Sequence, residues 1–415
     1  MNVSHWISRR LRLGGNGTGS PTAVVIAVAG VALAVLVMEF TLAIVVGFKE
    51  GIRAKLIGFD AEVTIGAPIG TTADSDYLTL TPQLDSIVRS ALPAEAEMRL
   101  SLRQPGMLKT DDNFQGVVFM GQSPDGQFDF ERSNIVEGEW PDYAADSCDN
   151  SIVMSRTLAT SLGLNCGDRV YSTFIIDGAV KMRRHTIAAL FQSNFGEYDN
   201  TVVYASLRGL RKVVGLDSIS AGRIDIRGLA YEDIEPTAMH IRDVLVNAAA
   251  HGTLNDYYPV DTVLRTGALY INWLALLDTN VTVIFILMLA VAGFTLVSSL
   301  FILILERVRM IGVIRALGAS KSIVREIFVD MGLRLVGLGM IFGNVLGIGL
   351  LLVQKYSQIV PLDPDMYYLA AVPIEIKPWA FLLLNIGVAI VAWLILIIPA
   401  RVAAATDPAT SIDCE

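Results

Sequence analysis

A chain of 415 residues with 53% apolar and only 18% charged residues falls outside the composition of soluble globular proteins, where charged residues make up about 25%. The charge-poor sequence gathers in four stretches, each longer than the roughly 20 apolar residues that cross a hydrocarbon core, and a soluble enzyme is excluded. The net charge of −9 is also uneven: residues 49–278 hold 20 basic and 31 acidic side chains, the remainder 12 and 10. A nucleic-acid partner, which wants a basic face, is therefore disfavoured.

Residues 1–21 carry Arg9, Arg10 and Arg12 with no acidic residue and include the run Gly14–Ser20. A short basic amphipathic helix and a flexible linker are expected there. The first span is assigned to 22–48, where Thr22–Gly47 contains one charge, Glu39. An apolar run of this length exceeds the about 7–15 residues of a signal peptide, and no cleavage site follows. An uncleaved anchor is expected, about 39 Å long at about 1.5 Å per residue, leaving the membrane as a stalk.

Residues 49–278 alternate between short strands and short helices and read as an outer α+β domain with two subdomains. Strands are expected at 61–66, 115–122, 150–155, 201–205 and 221–227. Helices are expected at 81–92, where Thr81 caps and Pro82 takes the first helical position, and at 156–162, 206–214 and 234–249. The clearest signal is a hairpin, 168–176 and 179–190, joined by Asp177-Gly178, a two-residue turn that accepts positive φ. A helix from about Val263 runs into the second span.

The second span, 279–305, carries no charge. In the following segment, 306–330, Met310, Val313, Ile314 and Leu317 recur at helical spacing, Arg307, Arg309 and Arg315 supply basic charge, and Gly318-Ala319-Ser320 breaks the helix. Such a helix fits a lipid surface or a partner's groove, and composition alone does not choose. The third span, 331–354, has Gly339, Gly343 and Gly347 at a spacing of four, one helix face on which another backbone can approach closely. A loop at 355–378, a fourth span at 379–400 and a tail at 401–415 complete the chain. The whole reads as an α-helical membrane protein with four transmembrane helices (1+3) and a large α+β extracytoplasmic domain inserted between the first and second.

Basic residues concentrate before the first span and in 306–327, whereas 355–378 holds Lys355 and Lys377 against Asp363, Asp365 and Glu375. By the positive-inside rule both termini and 306–327 are cytoplasmic, and 49–278 and 355–378 lie outside. Cys148 and Cys166 then share the outer domain and Cys414 lies in the tail. In an oxidising compartment 148–166 is the candidate disulfide, contributing about 3 kcal/mol by loop entropy; two free thiols are the alternative.

Signs of catalysis are missing. His5, His185, His240 and His251 form no metal-ligand grouping, no Gly-x-Ser-x-Gly elbow is present, and Gly318–Ser322 lacks the Gly-Lys pair of a Walker A motif. No catalytic or metal site is expected, nor any cofactor bound by this chain. Glu39, a carboxylate inside a span, is a functional candidate by position, although it lies near the span's outer end.

The segment Glu306–Ser320 (ERVRMIGVIRALGAS) resembles the coupling segment of FtsX/MacB-type ABC transporter permeases, and the 1+3 architecture matches. The sequence is most similar to the lipoprotein-releasing LolC/LolE permease family, through Trp6–Arg12, Phe191–Asp199 (FQSNFGEYD), Pro361–Tyr368 with Val372-Pro373, and Arg401 with Asp407–Ala409. The resemblance implies a permease in the bacterial inner membrane, paired with a second copy or a sister permease. It implies a separate ATPase subunit, holding ATP and Mg, that docks on Arg307, Met310, Ile311, Ile314, Arg315, Leu317, Gly318 and Ala319. It further implies lipoprotein cargo whose acyl chains pass from the membrane lipids into a cavity between the first and second spans of both permeases, with Glu39 and Phe40 at its wall, and a periplasmic carrier. Carrier-recruiting permeases extend the hairpin into a long hook, and here the turn has room for two residues. Export or efflux of another substrate, or FtsX-like regulation of a cell-wall hydrolase, are the alternative readings.

Overall fold

A computed structural model describes residues 21–69, 76–110, 113–124, 126 and 128–405. The expected basic N-terminal helix and linker, Cys414 and Asp407–Ala409 lie outside these residues. The chain divides into two compact units. One takes residues up to Glu50, Leu274–Pro361 and the chain from Ala371; the other takes Gly51–Trp273 and Leu362–Ala370.

Helix α1 (Pro21–Phe59) has 39 residues and is about 58 Å long at about 1.5 Å per residue. It runs on for three turns past the apolar stretch that marks it in the sequence. In the membrane unit it buries Ala27, Val31, Ala34, Val35 and Met38, spaced three or four apart on one face.

The outer unit follows. It comprises β1 (Val63–Gly66), β2 (Leu78–Thr79), α2 (Pro82–Ala91), β3 (Glu97–Lys109), β4 (Phe114–Gln122), α3 (Asp129–Ser133), β5 (Ile135–Gly138) and β6 (Ser151–Ser155). Then come α4 (Arg156–Leu162), β7 (Arg169–Ile176), β8 (Ala179–Phe191), α5 (Gly196–Thr201), β9 (Val202–Ser206) and α6 (Leu207–Val214). The unit closes with β10 (Ser220–Ala221), β11 (Arg223–Arg227), α7 (Ile234–Ala250), β12 (Val260–Thr262) and α8 (Val263–Thr266). Local chemistry explains the boundaries. Thr81, Ser155 and Ser206 each accept a hydrogen bond from a backbone N–H three residues on, capping α2, α4 and α6. Asp177 and Gly178 turn the β7–β8 hairpin at φ of 51° and 75°, the mirror-image turn that matches strand twist.

Ten strands form one mixed sheet in the order β12-β1-β11-β3-β4-β9-β6-β8-β5, with β7 paired to β3 and β8. The β4–β9 and β6–β8 pairs are parallel. Strand β3, absent from the sequence reading, stitches the unit together. Its first half, Glu97–Ser101, pairs with β11, and its second half, Leu102–Lys109, pairs with β4. The two expected subdomains thus share a strand. On the β4 side the core packs Leu102, Phe119, Phe174, Ile187 and Val203 beneath α4 and α6.

The chain then returns through α9 (Ala268–Glu306), α10 (Val308–Ala316), α11 (Lys321–Ser357), α12 (Pro364–Tyr367) and α13 (Pro378–Ala405). Helices α1, α9, α11 and α13 are long and apolar enough to cross a membrane. Their buried residues, among them Leu296, Leu300, Phe328, Leu335, Val388 and Leu396, form one core with the buried face of α1. A polar pair crosses it: the amides of Asn344 on α11 and Asn385 on α13 donate to each other at 2.8 and 2.9 Å, satisfying both groups away from water. Segment Leu362–Ala370, expected as part of a separate loop, belongs to the outer unit.

Candidate functional site

No metal-ligand grouping occurs among the described residues, and the functional geometry lies in three places. The first is α10, a single short helix between two spans. Arg307 caps its start and Gly318, at φ of 94°, ends it, a left-handed position that suits glycine. Ile311 is buried in the membrane unit's core and anchors the helix. Val313 is half exposed and Leu317 is 84% exposed. Of the residues expected to meet an ATPase, Ile311 therefore faces inward. Arg307, Met310, Ile314, Arg315 and Ala319 are half-buried, and Leu317 and Gly318 are open. Val313, which belongs to the same periodic set, is the further exposed apolar residue.

The second place is the glycine face of α11. A Cβ on Gly339 would lie 2.7 Å from Val31, and one on Gly343 would lie 2.8 Å from the Ala32 carbonyl and from Val35. One on Gly347 would strike the Glu39 carboxylate. The stripe is therefore the seat of α1, and Glu39 fills the space that Gly347 leaves. Glu39 is fully buried, and the Asn385 amide is the polar group beside its carboxylate, at a geometry short of a well-formed hydrogen bond. The chain's own packing encloses Glu39, and Phe40 lies half-buried against Ala43, Leu351, Ile374 and Phe381.

The third place, missed in the sequence, is the outer end of α1. Lys55 Nζ donates to the carbonyls of Ser193 (2.6 Å), Asn194 (3.2 Å) and Tyr368. The loop that presents the first two is held by Asp199, which accepts from the Ser193 and Asn194 backbone N–H groups, the Ser193 hydroxyl and the Gln192 amide. Phe195 packs on Tyr270 and Tyr368 with ring centroids 5.1 and 5.0 Å apart, and Phe59 stacks on Tyr198 at 4.3 Å. Two segments quoted above for their resemblance, 191–199 and 361–368, thus meet around one lysine.

One residue past α1, Asp60 Oδ1 accepts from the Ala61 N–H at 2.9 Å and from the guanidinium groups of Arg103 and Arg223, each at 2.7 Å. Burial alone would raise the Asp60 carboxyl, but Arg223 and Arg103 outweigh it and hold the group below its ordinary value. Arg223 pairs in turn with Asp225.

Cys148 and Cys166 are not bridged in this structure. Cys148 ends a turn just before β6, beside the Ser147 hydroxyl. The Cys166 thiol, between α4 and β7, points at the carbonyl of Ala188 in β8 at 3.3 Å.

Two family models match this chain: the MacB-like periplasmic core domain over residues 24–244 and the FtsX-like permease C-terminal region over 282–408. The first takes in more than half of the sequence, and the chain belongs to the FtsX/MacB family of ABC transporter permeases. Among named relatives, the lipoprotein-releasing system transmembrane protein LolC of Xylella fastidiosa (strain 9a5c) is 24% identical, over 93% of this chain and 92% of that protein. The corresponding LolE of Haemophilus influenzae is 27% identical, over 38% of this chain and 40% of its own length. The periplasmic region of MacB from Actinobacillus actinomycetemcomitans aligns with 53% of this chain and 96% of its own, at 11% identity and a TM-score of 0.33.

Proposed function

We propose that this chain is the permease subunit of an ABC transporter that releases lipoproteins from the bacterial inner membrane, driven by ATP hydrolysed on a separate subunit. The observation that carries the reading is α10: a short helix anchored through Ile311 that leaves Val313 and Leu317 to solvent. An apolar helix end of this kind, flanked by Arg315, suits a groove on a soluble partner. The cargo half of the reading follows the names of relatives that align over more than nine-tenths of the chain. In this reading both termini and α10 are cytoplasmic, the outer unit is periplasmic, and a second copy or sister permease completes the transporter.

A second reading, export of another substrate by the same architecture, is favoured by the β7–β8 hairpin. It closes on Asp177 and Gly178 alone, with Ile176 paired to Ala179, and offers no hook to a periplasmic carrier. If lipoprotein is the cargo, the hook belongs to the sister chain. Co-purification with the ATPase, followed by mass spectrometry of bound acylated protein, separates the two readings. Lipid-modified cargo and ATP hydrolysis stimulated by added lipoprotein are expected. An ATPase-bound complex without acylated protein, indifferent to lipoprotein, leaves the second reading standing.

A further inference from the structure

Helix α6 carries three cations, and two of them meet an acid. Arg208 Nε and Lys212 Nζ both donate to the Asp149 carboxylate at 2.7 Å. Arg211, between them in sequence, has no carboxylate within ion-pair distance among the described residues. Its Nε donates to the Ser220 carbonyl at 2.7 Å, and its buried Nη2 has no acceptor. Burial pulls this guanidinium below its ordinary pKa, and no neighbouring acid restores it. A buried cationic donor left in that state calls for a partner.

The same side chain lines a cavity of about 580 Å³ that lies wholly within the outer unit. That volume falls among the about 300–1,000 Å³ of small-molecule sites. Arg89 of α2 and Arg99 of β3 join Arg211 on its wall, and Glu97 is the one carboxylate among the described residues there. Arg89 pairs with Asp85 and Arg99 with Glu97, so the charge without a counterpart is that of Arg211. The surrounding domain is acidic, with 31 acidic against 20 basic side chains over 49–278. Three guanidinium groups around one cavity run against that balance. The Ser123 and Ser218 hydroxyls stand on the same wall, and Leu80, Leu100 and Leu207 give it an apolar side.

We propose that this cavity binds a phosphate group, with Arg211 as its ion-pairing residue and Arg89 and Arg99 on its flanks. Guanidinium groups meet phosphate oxygens two at a time, in a planar fork that an ammonium group cannot reproduce. The cavity has more room than a free phosphate ion fills, and its apolar side suits the rest of a small organic phosphate. The proposal goes beyond the permease reading and does not depend on what the chain transports.

The test is isothermal titration calorimetry of the full chain in a phosphate-free detergent at fixed ionic strength. The probes are glycerol 3-phosphate, inorganic phosphate and glycerol. Both phosphates should bind and glycerol should not. Tighter binding of the ester makes an organic phosphate the ligand, and equal binding makes it the free ion. Arg211→Gln should weaken binding of the better probe at least about tenfold, and Arg211→Lys, which keeps a charge without the fork, by less. Arg89→Gln alters a largely exposed side chain, leaves the fold intact and should weaken binding about threefold. No binding of either phosphate overturns the proposal, as does an affinity unchanged in Arg89→Gln. Unchanged affinity in Arg211→Gln overturns it too, and is the result expected if Arg211 serves only to hold the Ser220 carbonyl.

Discussion

Helix α1 lives in two chemical environments, and the two hold it by different means. Between Val28 and Glu39 its neighbour is the glycine face of α11, where contact is steric and the tolerance is a fraction of an ångström. Between Lys55 and Asp60 its neighbours are carbonyls and guanidinium groups, and contact is electrostatic. In a bilayer, apolar side chains gain nothing by leaving lipid for protein, so close approach of backbones does the work. Outside, where water competes for every polar group, burial of a matched charge cluster fixes the chain's exit from the helix. One helix is thus specified by volume at one end and by charge at the other, and substitutions should separate the two.

The largest effect is expected at the charged end. Asp60→Asn leaves Arg223 buried with half of its anionic partners and Arg103 without its carboxylate. Removing one member of a buried pair costs about 3–5 kcal/mol, read as lost stability of the outer unit by chemical denaturation of the full chain. The pH dependence has a definite sign. Because the folded carboxyl titrates below the ordinary value of 3.8, its contribution is complete above that value and is lost as pH falls toward the lowered one. Asp60→Asn should therefore flatten the acid limb of the stability profile; a variant with the wild-type limb would show that the cluster does not hold the chain.

The next effect belongs to the steric end. Gly343→Ala places a methyl 2.8 Å from the Ala32 carbonyl, which is backbone and cannot swing away. Overpacking of this kind costs about 1–3 kcal/mol, seen as a lower melting temperature of the membrane unit in detergent. Gly337 and Gly349 lie on the same helix and have nothing within 4 Å. Alanine there should be neutral or should stabilise by up to about 1 kcal/mol through helix propensity. Equal losses at Gly337 and Gly343 would mean that glycine matters for flexibility and not for the α1 contact.

The contrast also marks what a sequence can disclose. The steric end was legible, because three glycines four apart lie on one helix face and the spacing alone says what they do. So were the β7–β8 hairpin, through Asp177-Gly178, and α2, through Thr81-Pro82. The partner of the glycine face was not legible, because the position of Glu39 in α1 says nothing of Gly347, more than 300 residues away. Strand β3 went unseen, and it carries Pro105 and Gly106, residues that ordinarily interrupt a strand. Pro105 is nevertheless in register opposite Val118, in a strand that alternates too little between apolar and polar residues to declare itself. The charged end was invisible for a further reason. Lys55 meets carbonyls 138, 139 and 313 residues along the chain, and main-chain acceptors carry no side-chain signature at all.

The smallest effect on stability, and the sharpest on function, is expected where the membrane unit meets solvent. Leu317, just past the end of α10, is exposed, whereas Ile311 within that helix is buried, so the two residues divide anchoring from docking. Leu317→Ser changes an exposed side chain and should move the melting temperature by no more than the equivalent of about 0.5 kcal/mol. If the exposed end of α10 enters a groove of the ATPase, the same substitution should weaken association about tenfold, or about 1.4 kcal/mol, measured by titrating ATPase onto the permease in nanodiscs. An unchanged affinity would move the docking surface away from α10. A loss of affinity with unaltered melting would place it there, on a helix that the volume-specified part of the molecule holds still.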